Sequence, residues 1–273
     1  MIDLRIAMIA CRAPVGAVEE NLARMAHWVR RARRAGADLV CFPELNVTGY
    51  TTSVSMTEFA LSIPGAITDR ISQIAREARL TILAGMAEHN DSGLPYASHG
   101  VFLPDGRIEI YRKLHLAPPE RSIFSSGHGV PIFTDGKTTF GLQLCYDAHF
   151  PELSTAMAAR GVEVIFMPHA SPRGNAAAKH QSWLRHLPAR AFDNGIFVAA
   201  CNQWGDNGRR LNFPGNAVVI GPDGKVIKKR STARNEGMLL AELRGEDLAA
   251  VRNHPMRYFF PRRRPDIYRM GPR

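Results

Sequence analysis

The chain has 273 residues, 45% of them hydrophobic and 22% charged, and its 35 Lys and Arg against 25 Asp and Glu give a formal net charge of +10. That length and apolar content suffice for one large domain or two small ones with a substantial core. Ordinary Gly and Pro usage and only four Cys exclude disordered, collagen-like and disulfide-scaffold chains.

Residues 4–11 (LRIAMIAC) read as a strand, and 16–35 as an amphipathic helix with apolar spacing through Val18, Leu22, Met25, His27 and Val29. The apolar run 38–42 is stopped by Pro43 and reads as a short buried strand that delivers Glu44 at its end. A helix near 67–79, strands near 81–88 and 97–103, and an alternating strand 107–113 ending on Lys113 follow. Strand 138–145 ends on Cys145, and Pro151-Glu152 suits the first turn of a helix near 151–160. A strand at 163–167, one helix over 179–194, a strand at 196–201 and two strands near 215–220 and 225–230 complete the body. The mixed order, without repeat or long linker, predicts a layered α/β domain with catalytic groups at strand ends.

The charge is unevenly placed. From Arg252 onward seven Arg face one acid, Asp266, which gives this tail +6 and leaves +4 for the first 251 residues. A second cluster, Arg24, Arg30, Arg31, Arg33 and Arg34, lies within one helical stretch. Neither segment carries an aromatic-interleaved platform or a nucleic-acid-binding motif, so no nucleic-acid partner is expected, and salt-dependent binding to nucleic acid or acidic lipid is the competing reading. Met1 to Ala10 lacks the apolar core of a signal peptide, and no run approaches a membrane span, so a cytoplasmic protein without a membrane partner is expected. Cys11, Cys41, Cys145 and Cys201 show no metal-ligand spacing; three read as core and one as reactive.

Glu44, Lys113 and Cys145 are the potent groups at strand ends. A carboxylate accepts a thiol proton, a helix N-terminus after Cys145 would lower its pKa, and a lysine near the reacting carbonyl stabilises an oxyanion, so the set suits acyl transfer through a thioester. Taken singly, each also fits a bland role: a packed Cys, an edge-strand Lys, a capping Glu.

FPELNVTGY around Glu44, YRKLHL around Lys113 and GLQLCYDAHFPEL around Cys145 resemble the three catalytic motifs of the nitrilase, or carbon-nitrogen hydrolase, superfamily. Their order agrees, and RGVEVIFMPHAS, LPARAFDNGIFVAACNQWG and FPGNAVVIGPDGKV extend the resemblance over the chain. It implies a four-layer α-β-β-α sandwich, a homodimer or larger homo-oligomer, and no metal or organic cofactor. It also implies Glu44 as general base, Cys145 as nucleophile, Lys113 with the Tyr146 backbone N–H as oxyanion donors, and Glu120 as a second glutamate orienting the lysine or the substrate. A single domain over 1–250 is expected, followed by a basic arm, 251–273, whose Arg263 to Tyr268 pattern resembles a subunit-interface extension of the family.

For the substrate, Tyr146-Asp147 after the cysteine departs from the Trp-Glu of nitrile-cleaving relatives. Ala148 and His149 stand where hydrolases of N-carbamoyl amino acids carry an anion-gripping Arg. Arg173 is an alternative anion ligand, and His169 either lines the pocket or caps the strand ending at Pro168. Asp147 is read as holding the turn that presents Cys145. Amidases of small linear amides are the best resemblance, with N-carbamoyl compounds second and nitriles third.

Overall fold

The N-terminal apolar run forms β1 (Leu4–Ala10), followed by α1 (Val18–Arg34) and the three-residue β2 (Leu39–Cys41). They belong to a computed structural model that describes residues 1–172, 174–231 and 234–268. α1 buries Leu22, Met25, Trp28, Val29 and Ala32 and places Glu19 and Glu20 in its first turn and Arg31, Arg33 and Arg34 in its last, each matching the helix dipole. His27, expected on the apolar face, is exposed; helical spacing from Leu22 and Met25 gives the buried position to Trp28. The arginine cluster is partly paired: Arg24 meets Glu20 at 2.8 Å and Glu236 at 2.9 Å, and Arg33 donates to the Ala78 carbonyl.

α2 (Ala66–Ala78), β3 (Thr81–Glu88), β4 (Tyr96–Phe102) and β5 (Ile108–Arg112) follow as the sequence predicts. The two-residue β6 (Phe133–Thr134) precedes β7 (Thr139–Leu142), which stops three residues before Cys145. α3 (Pro151–Ala159) and β8 (Val164–His169) are as expected. The single helix expected over 179–194 is two, α4 (Ala176–Leu184) and α5 (Leu187–Asn194). Pro188 lies in the first turn of α5, where its missing N–H costs nothing, whereas within one continuous helix it would break the ladder.

β9 (Phe197–Asn202), β10 (Trp204–Asp206), β11 (Asn212–Pro214), β12 (Asn216–Ile220) and β13 (Val226–Ser231) come next. β14 (Gly237–Leu243) and α6 (Gly245–Arg252), beyond the last expected strand, complete the order. β14 runs antiparallel to β1, with Leu4 opposite Leu243 and Ala10 opposite Gly237. The boundary expected at 250 falls inside α6, whose Leu248 and Val251 are buried.

One six-stranded sheet has the order β14-β1-β2-β3-β4-β5 and the other β13-β12-β9-β8-β7-β6. Alternation along β1 divides the core: Ala7 and Ile9 join Leu22, Met25 and Trp28 of α1 and Ile71 of α2, while Ile6 and Met8 face the second sheet with Leu142, Phe166 and Ala200. Behind that sheet lie Met157 of α3 and Leu187 and Ala191 of α5, giving the four-layer α-β-β-α sandwich. β1, β2 and β3 are mutually parallel, as are β7, β8 and β9, so the carboxyl ends of both parallel sets open toward one site. Among the described residues no helix is long and apolar enough to cross a membrane.

Candidate active site

Glu44 follows β2 after Phe42 and Pro43, and the turn passes against β3. A Cβ at Gly85 would lie 2.4 Å from the Leu45 nitrogen, so the close approach requires glycine there. The Glu44 side chain is fully buried. Its Oε1 accepts from Lys113 Nζ at 2.8 Å and its Oε2 from the Ala170 N–H at 3.0 Å, just past β8. Both sheets thus hold this carboxylate.

Lys113 stands one residue beyond β5, also fully buried, and its ammonium donates a second bond to Glu120 Oε1 at 2.8 Å. Glu120 is secured in turn by Tyr50, whose hydroxyl donates to Oε1 at 3.0 Å, and by the Ala117 N–H on Oε2 at 2.8 Å. Burial works against the Lys113 charge, but Glu44 and Glu120 outweigh it and hold the proton well above the ordinary range. Glu44 is pushed up to about 7, because burial and the negative Glu120 outweigh the pull of Lys113.

Cys145 opens a short 3-10 segment, Cys145–His149, with a left-handed φ of 44° that a non-glycine residue adopts only under constraint. The constraint is Asp147: its Oδ2 accepts from the Leu144 N–H at 3.0 Å and Tyr111 Oη at 2.8 Å, its Oδ1 from the His115 N–H at 2.9 Å and Nδ1 at 2.8 Å. The structural role read for Asp147 is therefore what the fold uses. The expected lowering of the Cys145 pKa is corrected: burial and Glu44 push the thiol up to about 12, against the pull of Lys113 and Lys179. α3 begins only at Pro151, and helix-terminus effects fade within a turn. Cys11, Cys41 and Cys201 are buried, and Cys145 alone of the four is partly exposed.

A cavity of about 760 Å³ opens over these groups, lined by Cys145, Glu120, Tyr50, Tyr146, His149 and Lys179 among others. Tyr146 and His149 line the same cavity as Cys145. His169 does not line the cavity: its Nδ1 donates to the Met167 carbonyl at 2.7 Å and its ring packs 4.9 Å from that of Trp183, a buried position behind the wall. Arg173 lies outside the described residues. The sequence reading missed Tyr50, although it closes the motif that begins at Phe42, and Lys179, for which the sequence carried no signal.

The carbon-nitrogen hydrolase family model matches residues 5–253. The chain belongs to that family. As a carbon-nitrogen hydrolase it is 30% identical over 260 residues to omega-amidase NIT2 of Xenopus tropicalis, covering 91% of each chain. It is also 30% identical to a nitrilase of Pyrococcus abyssi, over 97% of this chain and 99% of the relative. Among solved structures it superposes on an amidase from Nesterenkonia sp. with a TM-score of 0.81 at 27% identity, covering 97% of this chain and 95% of that one. A variant of that amidase carries the acetamide moiety of fluoroacetamide covalently on its active-site cysteine.

Proposed function

We propose that this carbon-nitrogen hydrolase cleaves the amide of a small linear substrate through a thioester on Cys145. The observation that carries the reading is the Lys113 ammonium, held between the Glu44 and Glu120 carboxylates, with Glu120 and Cys145 lining one cavity. With the thiol pushed up to about 12 and Glu44 to about 7, standing thiolate is scarce. Glu44 takes the thiol proton as sulfur attacks the amide carbon.

The C–S bond forms as the carbonyl π pair moves to oxygen, where Lys113 and the Tyr146 N–H stabilise the negative charge. The C–N bond then breaks, and Glu44 passes its proton to the departing nitrogen, releasing ammonia or an amine. In the second half Glu44 takes a proton from water, hydroxide oxygen adds to the thioester, and the carboxylic acid leaves as the thiol regains its proton. Glu120 keeps the ammonium aimed while its own second oxygen is tied to Ala117. The exposed arm with Met256, Ile267 and Tyr268 fits a homo-oligomer contact in the same reading.

The test is ammonia release from a panel of aliphatic amides, dicarboxylic monoamides, N-carbamoyl compounds and nitriles, with intact-mass detection of an acyl adduct. Turnover of an amide that Cys145→Ala abolishes, together with an adduct on Cys145, is expected. Cys145→Ala with undiminished turnover, or a chain active only on nitriles, would refute the proposal.

A further inference from the structure

Lys113 and the Tyr146 N–H, the two oxyanion donors of the proposed mechanism, come from different segments of the chain, and both must reach one oxygen. Lys113 begins the turn after β5, and Tyr146 lies in the 3-10 segment that opens on Cys145. Two residues beyond Lys113 stands His115, half-buried and used in no step of that mechanism.

His115 reaches the Cys145 turn three times. Its backbone N–H donates to Asp147 Oδ1 at 2.9 Å, and its ring Nδ1 lies 2.8 Å from the same oxygen. A carboxylate oxygen only accepts, so Nδ1 carries the hydrogen and donates it. The ring is also stacked on that of Phe150, with centroids 3.8 Å apart and planes 13° from parallel. Phe150 closes the 3-10 segment, its N–H donating to the Asp147 carbonyl at 3.1 Å, and its ring meets that of Tyr146 in a T-shaped contact at 5.5 Å. His115 therefore holds the nucleophile turn at its middle and at its end.

The chain ties His115 equally closely to the charged set. Lys113 precedes it by two residues, and Ala117, whose N–H holds Glu120 Oε2 at 2.8 Å, follows it by two. Tyr111, two residues before Lys113, donates to the other oxygen of Asp147 at 2.8 Å. The lysine is thus bracketed by two side chains bonded to one carboxylate of the nucleophile turn.

Resting on the proposed amidase reading, we infer that His115 is a positioning residue for the reaction: its Nδ1–H bond to Asp147 sets the separation of the Lys113 ammonium and the Tyr146 N–H, so that both meet the same oxyanion. The full charge on that oxygen exists only after sulfur has attacked. Loss of the spacing therefore costs transition-state stabilisation and leaves substrate binding alone, and its signature is a lower kcat at nearly unchanged KM. Alkylation by iodoacetamide is the contrasting reaction: sulfur displaces iodide from a saturated carbon, no oxyanion forms, and the rate is blind to the spacing.

The experiment uses two variants that divide the contacts. His115→Phe keeps a ring to stack on Phe150 and removes the Nδ1–H, whereas His115→Asn places an amide N–H close to the position of Nδ1 and gives up the stack. For both and for the wild type, kcat and KM are measured on the fastest amide of the panel above, beside the rate of Cys145 alkylation and a melting curve. His115→Phe is expected to lose about tenfold or more in kcat, with KM within about twofold and alkylation at the wild-type rate. His115→Asn should keep most of the wild-type kcat; if His115→Phe does not fold, this variant decides alone, and a loss of about tenfold or more in it overturns the inference. Undiminished kcat in His115→Phe, or a fall in alkylation that matches the fall in kcat, also overturns it and leaves the amidase proposal standing. A wild type that turns over no amide, or turnover indifferent to Cys145→Ala, brings down the amidase proposal and this inference with it.

Discussion

Tyr111 of β5 donates its hydroxyl to Asp147 at 2.8 Å, joining the strand that delivers Lys113 in one sheet to the turn that presents Cys145 beside the other. Asp147 is fully buried and accepts four bonds at once. Asn in its place would turn an amide N–H₂ toward two of the donors. Asp147→Asn is expected to cost about 3 kcal/mol, roughly 10 °C in Tm, measured by thermal unfolding. Tyr111→Phe, which removes one bond of the four, should cost less. Equal or negligible losses for the two would show that the turn is held by other contacts.

Glu44 gives opposite signs for activity and stability. Its folded pKa is raised from 4.5 to about 7, so the carboxylate that the proposed mechanism uses to accept the thiol proton is lost as pH falls through 7. kcat/KM should decline about tenfold per pH unit on the acid side, with an apparent pKa near 7 that belongs to the Glu44, Lys113 and Glu120 cluster. For stability the native state keeps a proton that the unfolded chain releases at about 4.5. The contribution of Glu44 is therefore greatest below 4.5 and declines as pH rises to about 7. Unfolding of the wild type against Glu44→Gln across that window measures it; a difference that stays flat, or widens in favour of the wild type with rising pH, contradicts the assignment.

Tyr50 supports Glu120, which supports Lys113. Tyr50→Phe keeps the ring against Phe213 and removes only the hydroxyl. A hydrogen bond to a charged group is worth about 1.5–3 kcal/mol, so kcat should fall roughly tenfold or more if Lys113 loses its aim, with Tm changing little. Steady-state kinetics beside a melting curve separates this from a folding defect.

Alkylation by iodoacetamide should mark Cys145 first. Cys11 and Cys201 are raised well above the ordinary range by burial, and Cys41 is fully buried, while Cys145 opens to the cavity. Because its thiol is itself pushed up, the rate should depend on Glu44 and drop in Glu44→Gln. Peptide mapping that finds all four thiols labelled equally would show that the cavity does not activate Cys145.

Much of this protein was legible in its local sequence. Apolar patterns located β1, α1, β3, β4 and α3 because α1 buries one face and the strands, lying inside the layers, are buried almost throughout, and Glu44, Lys113 and Cys145 stood out because each ends a strand-like run within a family motif. β14 alternates too, through Leu239, Ala241 and Leu243, but its partner is β1 at the far end of the chain, a pairing that periodicity does not carry. The break between α4 and α5 was marked by Pro188 and was overridden by the longer apolar pattern.

What the groups do to one another was set by packing. Residue types at strand ends suggested a lowered thiol pKa. The convergence of two sheets instead partly buries Cys145 within reach of the Glu44 charge, and desolvation with that negative charge reverses the direction. The same convergence sent His169 behind the wall and brought Lys179 into it, because which side chain faces a cavity depends on how α4 packs over β8 and not on distance along the chain. The residue types fixed which chemistry is available; folding set its charge state and its orientation, because burial and neighbouring charges exist only once the two sheets meet.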